Sequence, residues 1–450
     1  MRNLSTTQLI VLGFFTAIIM GAILLMLPVS AVDGQSTPFL DALFTSTTCV
    51  CVTGLVVVDT FSHWSIFGQI VILLLIQCGG LGIISITTGV MLMIGKKVSL
   101  KDRLLLEDAF NLSSLSGLVR FLKRVIKGTF LLEAMGAVLY MFVFVPEFGL
   151  KGIWISVFNS VSAFCNAGID IIGNNSLMNY VTNVPVNLIT MALIVLGGLG
   201  YIVWWDFLRV FQLARKGEIK KKQMWNRLTL HTKLVVIMSL GLIFGGGLVI
   251  FCTEYANPLT MGPLSFGEKI LAALFQSVTC RTAGFATVSQ TGLKDSTALF
   301  CMILMFIGGS PVGTAGGIKT TTIAIIVIAA GSIIRGYEEA GLFGRSISIR
   351  NVRKALAVTM VSAIVTLAAL MILLCIQPGN FVDIAYEVFS AVGTVGLTRN
   401  LTPILNPVSK LIIILCMYLG RIGPISMAIA VGHKKKKAMV YCPKEEVTVG

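Results

Sequence analysis

Charge is scarce in this 450-residue chain: Asp, Glu, Lys and Arg together make up only 12% of it. A soluble globular chain carries about 25% charged residues, so the deficit excludes an ordinary water-soluble enzyme. A disordered chain is excluded by the 56% hydrophobic content. Histidine is nearly missing, and His63, His231 and His433 stand far apart. The ten cysteines form no CxxC pair, and most lie in or beside apolar stretches. Neither a thiolate metal site nor a disulfide framework is expected, and the cysteines read as small buried residues. The chain has no Walker motif and no GxGxxG after a strand, so it carries no cofactor of its own and any nucleotide belongs to a partner. Acids in apolar stretches are few, chiefly Glu133 and Asp206, and they lack matching partners. A polytopic membrane enzyme would need paired carboxylates, a nucleophile dyad or metal ligands; it is kept only as the alternative from another class.

What is present is a set of long apolar runs, at 7–29, 64–94, 121–146, 185–214, 232–253, 295–334, 353–377 and 405–431. A spanning helix needs about 20 such residues, so eight spans are expected. The first run has no small-residue cleavage site and is read as a retained helix. Most of the 35 basic residues fall in three connections, 96–124, 209–233 and 335–354, and in the tail at 433–450. The other connections hold only Lys151, Lys269, Arg281, Lys294 and Arg399. The positive-inside rule then places both termini and the three basic loops in the cytoplasm. Basic residues spread over four separate loops do not form a nucleic-acid surface, despite the net charge of +15.

The four external connections resemble one another. They read FLDALFTSTTCVCVTGLVVVDT, ISVFNSVSAFCNAGIDI, LAALFQSVTCRTAGFAT and IAYEVFSAVGTVGLTRN. Each has a Ser/Thr-bearing amphipathic stretch that ends at one glycine: Gly54, Gly168, Gly284 and Gly396, spaced 114, 116 and 112 residues apart. The fold expected is all-α and integral to the membrane: four tandem helix–pore-loop–helix repeats in a pseudo-fourfold ring around a central pore, eight transmembrane helices plus four re-entrant ones. The repeats are read as 1–95, 96–215, 216–334 and 335–432, followed by a cytoplasmic tail at 433–450. Irregular backbone at membrane depth is tolerated only when buried in protein or lining a wet cavity. The segments Val52-Thr53-Gly54, Asn166-Ala167-Gly168, Thr282-Ala283-Gly284 and Thr394-Val395-Gly396 can turn rings of backbone carbonyls toward one axis and replace the hydration shell of K⁺.

The second helix of each repeat holds a glycine cluster: GGLG at 79–82 and 197–200, GGSPVGTAGG at 308–317 and GRIGP at 420–424. Close packing of small residues suffices for the first two. It does not suffice for the third, because Gly308, Gly309, Ser310, Pro311, Gly313, Thr314, Gly316 and Gly317 cannot form a stable helix interior. A flexible loop below the carbonyl ring, a candidate gate, is expected there. Arg421 aligns with Gly80 and Gly198; a charge at that depth faces the interior or snorkels, and the reading in which it faces the pore is preferred. Lys319 admits both readings.

These motifs resemble the Trk/Ktr/HKT superfamily of potassium transporters, most closely its KtrB-type membrane subunit. TVGLT around Gly396 resembles the potassium-channel filter, and SVTCRTAGF at 277–285 and IGGSPVGTAGGIKTTT at 307–322 fit the family. The resemblance implies potassium uptake across a bacterial plasma membrane by a homodimeric pore subunit. It also implies control by a cytoplasmic RCK-type (KtrA-like) ring that binds ATP/ADP or NAD. A sodium-permeable relative is the rival within transport; some carry Ser at the first filter glycine, where this chain has Gly54.

Overall fold

The computed structural model describes residues 6–93, 118–173, 175–337 and 339–423. Most of the first basic loop, the end of the last apolar run and the basic tail lie outside them. The described residues repeat one order four times: a long helix, a short helix, a turn through a left-handed glycine, and a second helix. The long helices are Thr6–Leu25, Leu118–Phe148, Leu230–Glu254 and Ile349–Ile376. The short ones are Phe39–Cys51, Lys151–Cys165, Phe266–Thr279 and Phe381–Gly393.

The long helices are apolar nearly all round, which in a helix signals a core or lipid environment. Phe15, Phe130, Phe142, Phe244, Leu248, Met360 and Ile364 stand exposed on their outer faces. Such a surface would aggregate in water and matches hydrocarbon. The short helices are innermost, and their last turns are buried. In three repeats a short-helix serine ties inner to outer layer. Ser46 donates to the Ile18 carbonyl at 2.7 Å, Ser160 to that of Glu133 at 2.6 Å, and Ser277 to that of Leu242 at 3.0 Å. Opposite them stand Gly21, Gly136 and Gly246, where any Cβ would collide with the serine hydroxyl. Outside the bundle, Ser265 and Glu268 exchange hydrogen bonds as a capping box at the third short helix; the Ser265 backbone N–H holds the Glu268 carboxyl below its usual range.

The second helices start cleanly, with Ser65, Asn183 and Asn406 capping three of them. They do not run on. Ile66–Leu81 breaks at Gly82 before Ile83–Met93, and Pro407–Ile422 stops at Gly423. Val184–Gly198 and Tyr201–Arg215 meet at 94°. Asp295–Phe306 and Thr320–Ile334 are separated by a loop. Gly82, Gly200 and Gly423 all take positive φ, at 84°, 89° and 89°, a region that residues with a Cβ resist. Packing alone was the expectation for the first two clusters; the structure corrects it, because each GGLG both packs and breaks its helix. Among the described residues, four helices are long and apolar enough to cross a membrane unbroken, and the bent pair makes a fifth. The runs at 64–94 and 185–214, expected as single spans, are interrupted at Gly82 and Gly200; 295–334 divides at the loop expected there, and the end of the run at 405–431 lies outside the described residues. In the third basic loop a short hairpin pairs Gly341 with Ser346 and Leu342 with Arg345; Phe343 and Gly344 supply the two positive φ angles of its turn.

Candidate functional site

The four short helices end in the same way. In three of them the residue two before the glycine, Val52, Asn166 or Thr394, is a left-handed C-cap. In the third repeat Thr282 takes the left-handed conformation at the same offset, φ 66°. The glycines follow with φ of 100° at Gly54, 64° at Gly168, 85° at Gly284 and 94° at Gly396. Thr53, Ala167, Ala283 and Val395, between them, are fully buried.

These segments meet one another in cyclic order. A Cβ placed on Gly54 would strike the Ala167 carbonyl oxygen; on Gly168, that of Ala283; on Gly284, that of Val395; on Gly396, that of Thr53. Each contact would be shorter than real Cβ atoms show, so all four positions exclude any side chain. All four glycines also line one cavity of about 550 Å³, whose wall includes Asp59, Asp170, Ser289 and Thr398.

Hydroxyls that the sequence reading did not single out pin these strands from behind. Thr48 Oγ1 accepts from the Gly54 N–H at 2.9 Å, Ser162 Oγ from the Ile169 N–H at 3.1 Å, and Ser390 Oγ from the Gly396 N–H at 3.0 Å. Thr279 Oγ1 donates to the Phe285 carbonyl at 2.6 Å. The signal was present: Thr48, Ser162 and Ser390 each stand six residues before a glycine, and Thr279 stands five before Gly284.

The third repeat's loop, 307–319, lies against the inner end of this ring. A Cβ on Gly316 would run into the Thr394 hydroxyl, and Thr314 Oγ1 donates to the Phe164 carbonyl at 3.1 Å. The loop is ordered by bonds rather than loose. Gly308 N–H donates to Ile318 at 2.8 Å, Thr320 N–H to Gly309 at 3.0 Å, and the Ser310 and Thr320 hydroxyls are 2.9 Å apart. It also seals the break in the second repeat. A helix that stops leaves its last carbonyls without intrahelical donors. Here the Gly198 carbonyl accepts from Ser310 N–H at 2.9 Å, and that of Gly197 from Thr314 N–H at 3.2 Å. In return Tyr201 N–H donates to Val312 at 2.9 Å.

Arg421 does the same for the first repeat. Its guanidinium donates to the Gly79 carbonyl at 2.5 Å and, with its other terminal nitrogen, to the Thr314 carbonyl. It therefore turns inward and joins the fourth repeat to the loop and to the broken end of the first. Lys319 Nζ folds back onto the Ala315 carbonyl at 2.7 Å and the Gly316 carbonyl at 3.2 Å. Arg281, read from sequence as an external charge, is buried instead and contacts Ser239 at 3.3 Å. Arg399 is not free either: its Nε lies 2.6 Å from Asp383.

An apolar helical bundle with interrupted helices, and four buried glycine turns facing one cavity, has the build of a membrane cation transport protein. The chain belongs to the TrkH family of cation transport proteins, whose model matches residues 2–440. It is 39% identical to the potassium/sodium uptake protein NtpJ of Enterococcus hirae, over 100% of this chain and 98% of that one. It is 38% identical to the Ktr system potassium uptake protein B of Bacillus subtilis, over 98% of this chain and 96% of that one. Its fold matches the crystal structure of the potassium transporter TrkH from Vibrio parahaemolyticus with a TM-score of 0.74 at 16% identity, covering 96% of this chain and 86% of that one. The family and these relatives are transporters rather than enzymes.

Proposed function

We propose that this chain is the pore subunit of a Ktr-type system, spanning the plasma membrane eight times with both termini inside, and that K⁺ crosses it through the ring at Gly54, Gly168, Gly284 and Gly396. The observation that carries the reading is the closed cycle of side-chain-excluding contacts between each glycine and a carbonyl of the following repeat. Backbone held this way presents carbonyl oxygens, and these can substitute for the hydration shell of a monovalent cation. The short helices add their C-terminal partial negative charge at the same place. Thr282 and Thr394 bring buried hydroxyls that have no partner among the described residues to the inner end of the ring.

The loop at 308–317, with Lys319 and Arg421, is the gate. It obstructs the path below the ring, and Arg421 holds it there while setting a fixed positive charge beside the path. A cytoplasmic RCK-type ring would move the loop by drawing on Thr320–Ile334, the cytoplasmic half of the third repeat's second helix. The nucleotide belongs to that ring. The Ktr system names of the relatives fit a membrane subunit with partners, and we extend this to a homodimer.

The test is potassium uptake by cells lacking their own uptake systems, with and without a co-expressed ring subunit. Restored growth at low K⁺ is expected; no uptake from a correctly inserted chain refutes the reading. A second reading, permeation of Na⁺ as well, is favoured by the name of the Enterococcus relative. Uptake of each ion in competition with the other decides between them.

A further inference from the structure

The four seams between neighbouring repeats are not equally braced. Between the first and second, Trp154 Nε1 donates to Gln69 Oε1 at 2.8 Å. Between the fourth and first, Lys410 meets Asp41 at 2.6 Å. The first and second also share a Gln77–Glu133 bond at 3.0 Å; the seam between the third and fourth differs in reaching residues just past two of the glycine strands, where Arg399 donates to the Gln290 carbonyl at 3.1 Å. Tyr386, on the fourth short helix, donates its hydroxyl to Gln290 Oε1 at 2.8 Å. Gln290 lies just past the third glycine strand and exchanges two amide bonds with Gln276 of the third short helix, at 2.8 and 3.1 Å. Its Nε2 also holds the Val288 carbonyl at 2.8 Å. The next residue along, Glu387, faces the other way and accepts from Thr398, two residues beyond Gly396, at 2.7 Å, and from Thr402. All of the side chains named at this seam except Thr398 and Arg399 are buried.

We propose that this network is a brace that sets the spacing of the third and fourth strands, and that Tyr386 and Thr398 are positioning residues for ion selectivity. The reasoning runs from packing to function. The third and fourth strands touch where Gly284 faces the Val395 carbonyl. Carbonyl spacing there is fixed only as firmly as the two strands are held from behind. Tyr386 fixes the third strand relative to the fourth short helix, and Glu387 fixes the fourth strand relative to the same helix. One rigid turn thus references both strands to a common frame. Buried, mutually satisfied polar networks specify a single geometry in this way. Neither residue belongs to the four carbonyl-bearing segments, so each acts through the backbone it holds.

The proposal rests on the carbonyl-ring reading, and the experiment separates the two. Tyr386→Phe removes one hydroxyl and Thr398→Val another. K⁺ and Na⁺ uptake are measured in competition for both variants, alongside Trp154→Phe, which deletes a similar cross-seam bond elsewhere, and Gly54→Ser. Losing the Tyr386 bond to Gln290 predicts a fall of about three- to tenfold in K⁺ preference for Tyr386→Phe, and Thr398→Val, which removes the bond to Glu387 and the acceptor for the Leu401 and Thr402 N–H groups, should lower it at least as much. K⁺ flux should persist, Trp154→Phe should keep the parental preference, and Thr398→Ser should restore it. If Tyr386→Phe fails to insert, Thr398→Val decides. The brace is overturned if both variants insert and keep the parental preference, if Trp154→Phe shifts it equally, or if neither variant inserts, which would make the network a folding device. If Gly54→Ser also leaves preference unchanged, the ring reading itself falls; if only Gly54→Ser shifts it, the brace alone falls.

Discussion

At the residue scale the glycines divide by what a side chain would meet. Gly54 has φ 100° and its missing Cβ points at the Ala167 oxygen, so strain and collision act together. Gly54→Ser and Gly284→Ser should therefore lose K⁺ preference by at least about tenfold, since a displacement worth about 1.4 kcal/mol suffices for that factor. Competitive uptake of K⁺ and Na⁺ is the check, and unchanged preference in both would remove the carbonyl ring as the selective element. The pinning hydroxyls give a milder case. Thr48→Val and Ser390→Ala each strip the acceptor from a buried N–H, at a cost of about 1–3 kcal/mol. We expect purified protein carrying either change to show weaker thermal protection by added K⁺, with insertion intact. Arg421 is legible in sequence as an oddity, yet its role depends on two carbonyls far away in the chain, those of Gly79 and Thr314.

At the element scale the interrupted helices of the first and second repeats share one device. A left-handed glycine ends the helix, and carbonyls at the break become acceptors for another repeat. In the second repeat those acceptors hold the loop through Ser310 and Thr314; in the first they hold Arg421. Loop and arginine thus act on one another, which sets the prediction. Deleting part of 309–316 should raise K⁺ flux and weaken control by the ring subunit, while ion preference stays with the glycine strands. Arg421→Ala should also raise flux, because it releases Thr314. Residues in one network are non-additive, so the combined variant should conduct about as fast as the loop deletion alone. Fluxes that multiply in the double variant would show that Arg421 acts independently of the loop.

At the scale of the whole molecule, cations of one sign gather at two described connections. Arg215, Lys216, Lys220, Lys221, Lys222 and Arg227 are exposed on one, and Arg335, Arg345 and Arg350 on the other. The connections stay near one another through Lys233, whose ammonium lies 5.4 Å above the Phe343 ring of the hairpin. Such a surface steers acidic partners, and exposed charges are screened over about 8 Å at physiological salt. Association with a cognate ring subunit should therefore weaken as salt rises and weaken further on Lys220→Glu with Lys222→Glu, as measured by co-purification across a salt series. Salt-independent association would transfer the contact to other, uncharged surfaces.

The sequence by itself determined the apolar helices, the fourfold recurrence of the glycine segments and the place of the third-repeat break, because these follow from composition and spacing along the chain. It also carried the family resemblance, since TVGLT and the glycine-rich loop are contiguous. The exposed ends of the basic loops were legible for the same reason. Tertiary structure alone decided the cyclic order of the four glycines, the burial of Arg281 and the bridging of Arg421. It also decided that both GGLG clusters break their helices, and that the Gly79, Gly197 and Gly198 carbonyls at the breaks accept from donors brought from other repeats. The physical reason is common to all of these. A backbone carbonyl carries no residue-specific signature, so its partner, more than a hundred residues away between Gly198 and Ser310 and more than three hundred between Gly79 and Arg421, is visible only when the chain has closed on itself.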